Sequence, residues 1–214
     1  CAKPFWLPGS YRWRESYFIA PSVLMQVRDD LRIGVNLTLQ HTDAPGYQGI
    51  PTCRGKPLPG YSWDSDLAPY DTRDIYYGMT LQPYVEWDAN SWLKLRSGFG
   101  YALSDIEFEH IGNGGSYYDT RTKTLNLQAP LNFEHSDGDT LTRSWNVYER
   151  ATAKFDTGAA AHTLVGQADY NRRVSQGRST FGNYNDPYTK GKPTGTRTDL
   201  QKYGLLAQDY ISLW

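Results

Sequence analysis

Long apolar runs are missing from this 214-residue sequence, and its mean hydropathy is -0.65. No stretch approaches the roughly 20 apolar residues that a membrane-spanning helix needs, which excludes a helical membrane protein. An excess of charge of one sign is also missing, because 22 Lys and Arg residues oppose 23 Asp and Glu residues. This balance gives no reason to expect a nucleic-acid partner.

The motifs of the common enzyme classes are missing too. The sequence has no nucleophile elbow, P-loop, His-Glu-Xaa-Xaa-His or Cys-Xaa-Xaa-Cys element. Gly98 and Gly100 lack the third glycine of a dinucleotide fingerprint and lie within an alternating run, where glycine more often admits close packing. We therefore expect no enzyme, no catalytic residue and no cofactor.

Metal-ligating residues are few, with two Cys and four His in the whole chain. The acids Glu107, Glu109 and Glu134 lie near His110 and His135, and a metal site between them is conceivable because imidazole and carboxylate suit several divalent ions. Their spacing matches no defined metal motif. We therefore interpret them as solvated polar residues and expect no metal site.

Aromatic residues are abundant at 14%, with 17 Tyr and 7 Trp. Tyr and Trp suit a membrane interface because one end of each side chain is apolar and the other is polar. The same composition also suits a Tyr-rich soluble β-sandwich or lectin. Composition alone does not separate a transmembrane barrel from a soluble β-protein.

Strict alternation of apolar and polar residues is the main pattern. Within residues 31–39 the odd positions are all aliphatic and the even positions are polar or Gly. Because successive side chains of a strand point to opposite faces, such a run predicts a two-faced strand. The pattern predicts seven strands, at about residues 15–27, 31–39, 75–87, 93–103, 144–156, 162–174 and 199–213.

The connections between these strands alternate between short and long. Tight turns are predicted at residues 28–30, 88–91 and 157–161, and long connections at about 42–73, 106–141 and 175–198. Outer-membrane barrels sort their connections in this way, with tight periplasmic turns and long extracellular loops. This order favours an all-β, antiparallel transmembrane β-barrel over a soluble sandwich.

Seven strands are an odd number, whereas single-chain bacterial barrels have an even number. Two unpaired sheet edges are not tolerated in lipid. We therefore expect residues 1–214 to be one partial β-barrel domain, with the remaining strands outside this sequence.

Several segments, in the same order, resemble TonB-dependent siderophore receptors. Residues 17–22 (YFIAPS) and 40–51 (QHTDAPGYQGIP) are similar to the early barrel of that family. Residues 153–158 (AKFDTG) and 162–166 (HTLVG) are similar to one of its hairpins, and residues 203–209 (YGLLAQD) to a following strand. Each element is weak alone, but together they span nearly the whole chain.

The resemblance implies a segment of a 22-stranded barrel of the bacterial outer membrane, with an N-terminal plug inside it. It implies import of Fe(III)-siderophores, with the hydroxamate-siderophore branch of the family closest, and with energy passed on by the TonB complex through the plug. No plug-like segment and no TonB box are visible in this sequence. The implied ligand chelates its own iron, so the resemblance requires no metal ligand from the protein.

Aromatic residues of the long connections are the candidate ligand-binding residues. A ferric siderophore is bulky and partly apolar, and Tyr and Trp offer large contact areas at low entropic cost. Some of these aromatic residues could instead form girdles at the membrane interface or pack within the loops. The candidates are Tyr47, Tyr61, Trp63, Tyr70, Tyr117, Tyr118, Tyr184 and Tyr188.

Two further features lie in the predicted extracellular connections. The first is a set of cations that could attract an anionic siderophore or lipopolysaccharide phosphates, although a solvated loop surface is the better explanation for each of them: Arg54, Lys56, Arg178, Lys190 and Lys192. The second is the pair Cys1 and Cys53, which would lie on neighbouring loops, where the oxidising export route permits a disulfide.

Two alternatives to a siderophore receptor stay open. A passive porin or an adhesive outer-membrane barrel would show the same alternation and the same order of connections. A soluble carbohydrate-binding β-protein would share the composition, and detergent-free solubility with a cooperative, monomeric melt would favour it.

Overall fold

The computed structural model of the chain contains one large antiparallel sheet. It describes residues 14–46, 52–53, 56–57, 62, 72–113, 118–119, 124–125, 133–184 and 189–213. Among these residues no helix is long and apolar enough to cross a membrane.

The described residues form twelve strands. Eight of them belong to the large sheet: β1 (Glu15–Ile19), β2 (Ser22–Arg28), β3 (Leu31–Pro45), β6 (Arg73–Asp88), β7 (Leu93–Asn113), β10 (Phe133–Thr157), β11 (Ala160–Tyr184) and β12 (Thr194–Leu213). The other four form two small hairpins within the long connections: β4 (Thr52–Cys53) with β5 (Lys56–Pro57), and β8 (Tyr118–Asp119) with β9 (Thr124–Leu125).

The large sheet is an up-and-down meander in the order β1-β3-β6-β7-β10-β11-β12, and β2 also pairs with β3. The strands β1 and β2 share one register against β3, because Ile19 faces Leu39 and Ser22 faces Asn36. Pro21 interrupts them, but its carbonyl still accepts a hydrogen bond from Leu37 N at 3.0 Å. The eight strands therefore occupy seven positions, which confirms the predicted seven-strand segment.

The three short connections lie at one end of the sheet. The turn after β6 is closed by Asn90, whose side-chain oxygen accepts hydrogen bonds from Trp92 N and Leu93 N at 3.0 and 2.9 Å. Between β10 and β11, Gly158 has a φ of 65°. A two-residue hairpin loop with glycine at its first central position suits the twist of antiparallel strands, and this position favours glycine.

The strands run much further into the predicted long connections than the alternation indicated. Residues 106–113, 133–141 and 175–184 were predicted as connections, but they continue β7, β10 and β11. This part of the prediction was wrong. At about 3.3 Å per residue, the 25 residues of β10 span about 80 Å, whereas a strand crosses a membrane with about 9–11 residues.

The two faces of the sheet differ as the alternation predicts. The apolar face carries Leu31 to Leu39 at odd positions of β3 and, across the register, Trp87 to Met79 on β6. The polar face carries Arg32, Gly34 and the following even positions. Among the described residues Val165 alone is a buried hydrophobic, and many large apolar side chains of the sheet are exposed.

Aromatic side chains form a girdle across the apolar face, defined by Tyr17, Tyr77, Tyr101, Trp145, Tyr170 and Tyr203. Neighbours in it lie in contact range, with ring centroids 6.0 Å apart for Tyr101 and Trp145 and 5.1 Å apart for Tyr170 and Tyr203. On β3 the corresponding position is His41, which stacks on Tyr77 at 4.4 Å.

The girdle crosses the register diagonally. If the residue paired with Tyr17 is followed from strand to strand through the register, the path ends at Arg197 on β12. The girdle residue of β12 is instead Tyr203, which lies six positions closer to the short turns. In a barrel with strands about 4.8 Å apart and tilted by about 40°, residues at one height are offset along the register by about 1.2 residues from each strand to the next. Over the six steps from β1 to β12 this offset amounts to about seven residues. The girdle is therefore level in a barrel whose strands are tilted in the ordinary way.

Two acids interrupt the apolar face within the band below the girdle. Glu149 lies on β10, directly across from Ser97, which donates a hydrogen bond to it at 2.5 Å. Asp209 lies on β12, and its carboxylate is 2.7 Å from Nδ1 of His162 on β11. Acidic residues are less costly than Arg or Lys on a lipid-facing surface. The band therefore remains apolar in the main, with two polar pairs in it.

We predict that arginine placed on the two faces of β3 will have very different effects. Leu37→Arg puts the charge on the apolar face and should destabilise the folded full-length protein in lipid vesicles by about 2–4 kcal/mol. Thr38→Arg, one residue away on the polar face, is the matched control and should change stability much less. Urea unfolding in vesicles measures both, and equal losses would contradict the assignment of faces.

Candidate functional site

The polar face carries a row of alternating large side chains and glycines. The row runs across neighbouring strands through Gly34, Tyr84, Gly98, Tyr148, Asp169 and Gly204. A Cβ at Gly34 would overlap the ring of Tyr84, and one at Gly98 would overlap the ring of Tyr148. Each tyrosine thus lies flat over the glycine of the strand before it, so glycine is required for this close approach.

These tyrosines hold Arg96 in one position. The guanidinium lies 4.4 Å from the ring centroid of Tyr84, and Arg96 Nε donates to Tyr148 Oη at 3.1 Å. Arg96 also pairs with Glu86 at 3.1 Å. Arginine suits this position because its planar guanidinium stacks on a ring and donates several hydrogen bonds at once, which the ammonium group of lysine does not do.

The ion pairs continue from Arg96 toward the short turns. Arg32 bridges Glu86 at 3.5 Å and Asp88 at 3.2 Å, and Lys94 lies 2.9 Å from Asp88. This network joins β3, β6 and β7 on the polar face. Since its members are partly exposed, its main effect is to fix side-chain positions rather than to add much stability.

Other cations of the polar face have no acidic partner among the described residues. They are Arg150, which lies directly across from Arg96, and Arg173 and Lys202 on the next two strands. Like charges facing each other across strands are unfavourable. This part of the polar face therefore presents excess positive charge to whatever lies against it.

At the end with long connections, Asp43 and Arg73 join β3 to β6. Arg73 Nε donates to Asp43 Oδ1 at 2.8 Å, and Arg73 Nη2 donates to the second oxygen. These hydrogen bonds hold the pKa of the Asp43 carboxyl below its ordinary value of 3.8, although burial of Asp43 opposes the shift. The pair therefore stabilises the fold above that value and is lost as the pH falls through the lower folded-state pKa.

The segment after β11 is anchored beside β7 and β10, on the face that continues the apolar face beyond the girdle. His135 is 1% exposed, and its Nδ1 lies 3.0 Å from the carbonyl of Thr189. Its Nε2 lies 3.3 Å from Glu109, to which Lys190 also binds at 3.1 Å. Glu109 and Lys190, together with Asp137 and Asp139, line an open depression of about 420 Å³.

The histidines at this end have separate acidic partners. His110 Nε2 lies 2.5 Å from Asp74, whereas His135 contacts Glu109. Within the described part of the chain, no three His, Cys, Asp or Glu side chains are grouped as a metal site requires. Their arrangement is that of polar residues paired across neighbouring strands.

Most of the predicted ligand-binding residues lie outside the described residues. This holds for Tyr47, Tyr61, Trp63, Tyr70, Tyr117 and Tyr188, and also for Cys1 and Arg54. The backbones of Tyr118 and Tyr184 belong to β8 and β11, and that of Cys53 belongs to β4. Ligand contacts of the aromatic residues and the Cys1–Cys53 disulfide stay predictions.

The predicted loop cations have different surroundings. Lys56 belongs to β5, Arg178 is exposed on β11, and Lys192 is exposed beyond it. Lys190 is engaged by Glu109 and lies 3.8 Å from Asp137.

The row of glycines and tyrosines was not predicted from the sequence, although the glycine pattern pointed toward it. Gly98 and Gly100 were expected to admit close packing, and at Gly98 the structure confirms this. The partner, Tyr148, lies 50 positions away in the sequence and is brought opposite Gly98 only by the register of β7 and β10.

No protein-family model and no characterised protein sequence matches the chain, so the comparison rests on structure. BauA, the ferric preacinetobactin receptor of Acinetobacter baumannii, matches 94% of the chain with a TM-score of 0.67 and 16% identity. This is the barrel-wall fold of outer-membrane receptors. The open form of Fiu, the ferric-catecholate import receptor of E. coli K12, matches 96% with a TM-score of 0.61 and 16% identity.

The RagAB peptide importer has the same fold over 94% of the chain, with a TM-score of 0.62 and 9% identity. The chain spans 31% of BauA, 45% of Fiu and 26% of the RagAB chain. The similar structures are transport receptors and importers rather than enzymes. They confirm the expected fold class, in which the polar face lines the barrel interior and the apolar face is turned to lipid.

We predict that Gly98→Ala will disturb the polar face, because the new methyl group overlaps the Tyr148 ring and displaces the acceptor of Arg96. The expected loss in unfolding free energy of the full-length protein is about 1–3 kcal/mol. Gly100→Ala is the matched control, two residues along the same face, where the nearest atom is Asn146 Cβ at 3.6 Å. It should stay within about 0.5 kcal/mol of the original protein, and a larger loss at Gly100 than at Gly98 would reject the packing role.

Proposed function

We propose that the chain is part of the barrel wall of a bacterial outer-membrane receptor that imports ferric siderophores. The observation that carries the proposal is the likeness of nearly the whole chain to the barrels of siderophore receptors, in one continuous seven-position sheet. The sequence elements at residues 17–22, 40–51 and 203–209 support the same family. They also favour a hydroxamate ligand and coupling to TonB through a plug.

The geometry of the sheet suits this role. The strands β7, β10 and β11 continue well beyond the girdle, so they carry the long connections far above the membrane. Aromatic residues of those connections would meet the ligand first, and we propose Tyr47, Tyr61, Trp63, Tyr70, Tyr117, Tyr118, Tyr184 and Tyr188 as contacts. The unpaired cations Arg150, Arg173 and Lys202 lie deeper on the polar face and favour an anionic surface against them.

Peptide import is a second candidate, because the fold is about as similar to the RagAB peptide importer as to Fiu. The two functions differ in what iron does to uptake. A siderophore receptor takes up its ligand with the metal bound, whereas a peptide importer needs no metal. Measuring the uptake of iron and of peptide separately can therefore distinguish the two functions.

We predict that bacteria expressing the full-length protein will accumulate radioactive iron supplied as a ferric trihydroxamate. Uptake should exceed that from a ferric catecholate at least fivefold and should stop when the TonB complex is absent. Preferential catecholate uptake would overturn the hydroxamate assignment alone. Uptake of labelled oligopeptide without any iron uptake would overturn the siderophore proposal in favour of peptide import.

We predict that Trp63→Ala combined with Tyr184→Ala will weaken binding of the ferric siderophore at least about tenfold, or about 1.4 kcal/mol. Both residues belong to connections that the sequence predicts to be long, where they would offer aromatic contact area. Trp92→Ala, at an exposed position beside a short turn, is the control and should leave affinity unchanged. Fluorescence titration of the purified full-length protein measures all three, and unchanged affinity in the double variant would remove these residues from the site.

A further inference from the structure

The connection from β11 to β12 makes a detour across the outer side of the wall. The two strands are neighbours in the sheet, so a direct connection would cross no other strand. Residues 189–193, which we call the strap, instead lie against β10 and reach β7, where Lys190 binds Glu109. An open depression of about 400 Å³ lies between the strap and β11, and one of about 420 Å³ lies toward β6 and β7. The strand order does not require this detour, so side-chain contacts must hold it.

His135 fastens the strap through both nitrogens of its ring. The side chain is 1% exposed, with Nδ1 3.0 Å from the carbonyl oxygen of Thr189 and Nε2 3.3 Å from Oε1 of Glu109. A carbonyl oxygen and an ionised carboxylate are both acceptors only. Lys190 Nζ binds the same carboxylate oxygen at 3.1 Å, and this ion pair needs Glu109 in its ionised form.

The arrangement of two acceptors around one ring decides the protonation state that fits it. A neutral imidazole has one N–H donor and one acceptor nitrogen, so it satisfies only one of the two partners. Its second nitrogen would then face an acceptor in a buried contact, which is costly. The imidazolium form donates from both nitrogens and satisfies Thr189 and Glu109 together. The docked strap therefore selects the protonated form of His135.

The charges around this contact also suit a cationic ring. On the positive side, β6 contributes Arg73, which is engaged by Asp43, β11 contributes Arg178, and the strap contributes Lys190. Four carboxylates of β7 and β10 line the 420 Å³ depression: Glu107, Glu109, Asp137 and Asp139. These four negative charges exceed the two positive charges of Arg178 and Lys190, and a protonated His135 reduces the difference.

The contact lies well beyond the aromatic girdle. On β10, His135 is about 33 Å along the strand from the girdle residue Trp145. On β7, Glu109 is about 26 Å along the strand from Tyr101. At this distance from the lipid-facing band the ring exchanges protons with the surrounding water. Histidine gains and loses its proton between about pH 5 and 8.

We infer that His135, Glu109 and the strap form a pH-sensitive latch. Protonation of His135 fastens the strap to the outer side of the wall, and loss of that proton releases it. Because the docked state binds one proton more than the released state, docking is favoured at low pH and is lost as the pH rises. A single proton changes the ratio of docked to released strap by at most about tenfold per pH unit.

The latch itself depends only on these contacts, whereas its extracellular setting rests on the proposed function. In the proposed receptor, the external pH would decide whether the connection from β11 to β12 is held outside the wall or is free to move over the barrel opening. Tyr188, a proposed ligand contact, directly precedes the strap in the sequence.

A nitroxide label at Lys192→Cys reports docking, because Lys192 is exposed within the strap. The full-length protein is placed in lipid nanodiscs, with every other cysteine replaced by serine. Raising the pH from about 5.5 to about 8, the range in which histidine titrates, should lower the ratio of immobile to mobile label at least tenfold. The same ratio at both pH values would overturn the inference.

Glu109→Gln separates the latch from a purely structural contact. The amide N–H of glutamine can donate to a neutral ring, so the contact no longer needs the imidazolium form. In this variant the label should stay immobile at the higher pH, within twofold of its ratio at the lower pH. Release at both pH values would reject the latch, because it would show that the charge of Glu109 docks the strap without regard to the proton on His135.

Two histidine variants assign the response to one ring. His135→Gln should abolish the pH response of the label, and a response that persists would belong to another group and reject the latch. His110→Gln is the matched control, because His110 lies on the opposite face of β7 and pairs with Asp74. This control should keep the full tenfold response, and its loss there would overturn the assignment to His135.

The label measurement uses no siderophore, so its outcome is independent of the proposed function. A normal label response without any iron uptake would reject the proposed function and support the latch. Normal iron uptake with a strap that does not respond to pH would reject the latch alone.

Discussion

Backbone pairing between neighbouring antiparallel strands is the interaction on which the rest of this molecule depends. In lipid no water replaces a missing partner, so each unpaired N–H or C=O costs several kcal/mol. The pairing of β10 with β11 accordingly runs through all 25 residues without a shift in register. A slip by one residue would exchange the two faces of a strand, so this register decides which side chains meet lipid and which meet the barrel interior.

Fixed register also explains how side chains from distant parts of the sequence cooperate. Tyr84 can lie over Gly34, and Tyr148 over Gly98, only because these residues are opposite each other on neighbouring strands. Arg96 then gains a ring below it and a hydroxyl beside it.

Proline is tolerated where one ladder of backbone hydrogen bonds can be interrupted. The pairing of β6 with β7 omits Gln82 and Pro83, and resumes in the same register at Tyr84.

The sequence was informative where one face of a strand is apolar. The run at residues 31–39 and the tight turns at 28–30 and 157–161 predicted the strand, its faces and the end of the sheet on which it turns. Beyond the girdle both faces are polar, as at Asp137 and Asp139 beside Ser136 and Thr140, and period-two alternation disappears. The alternation therefore predicts connections where the upper halves of β10 and β11 continue as strands. Contacts such as Arg96 with Tyr148 also required a register that no local pattern contains.

The fold by itself carries little information about what is transported, since receptors for iron complexes and a peptide importer match the chain about equally well. In the proposed receptor, selectivity would therefore come from the long connections and from the charges of the polar face. Arg172 and Arg173 project from opposite faces of β11, so only Arg173 lies on the face that is proposed to line the ligand path.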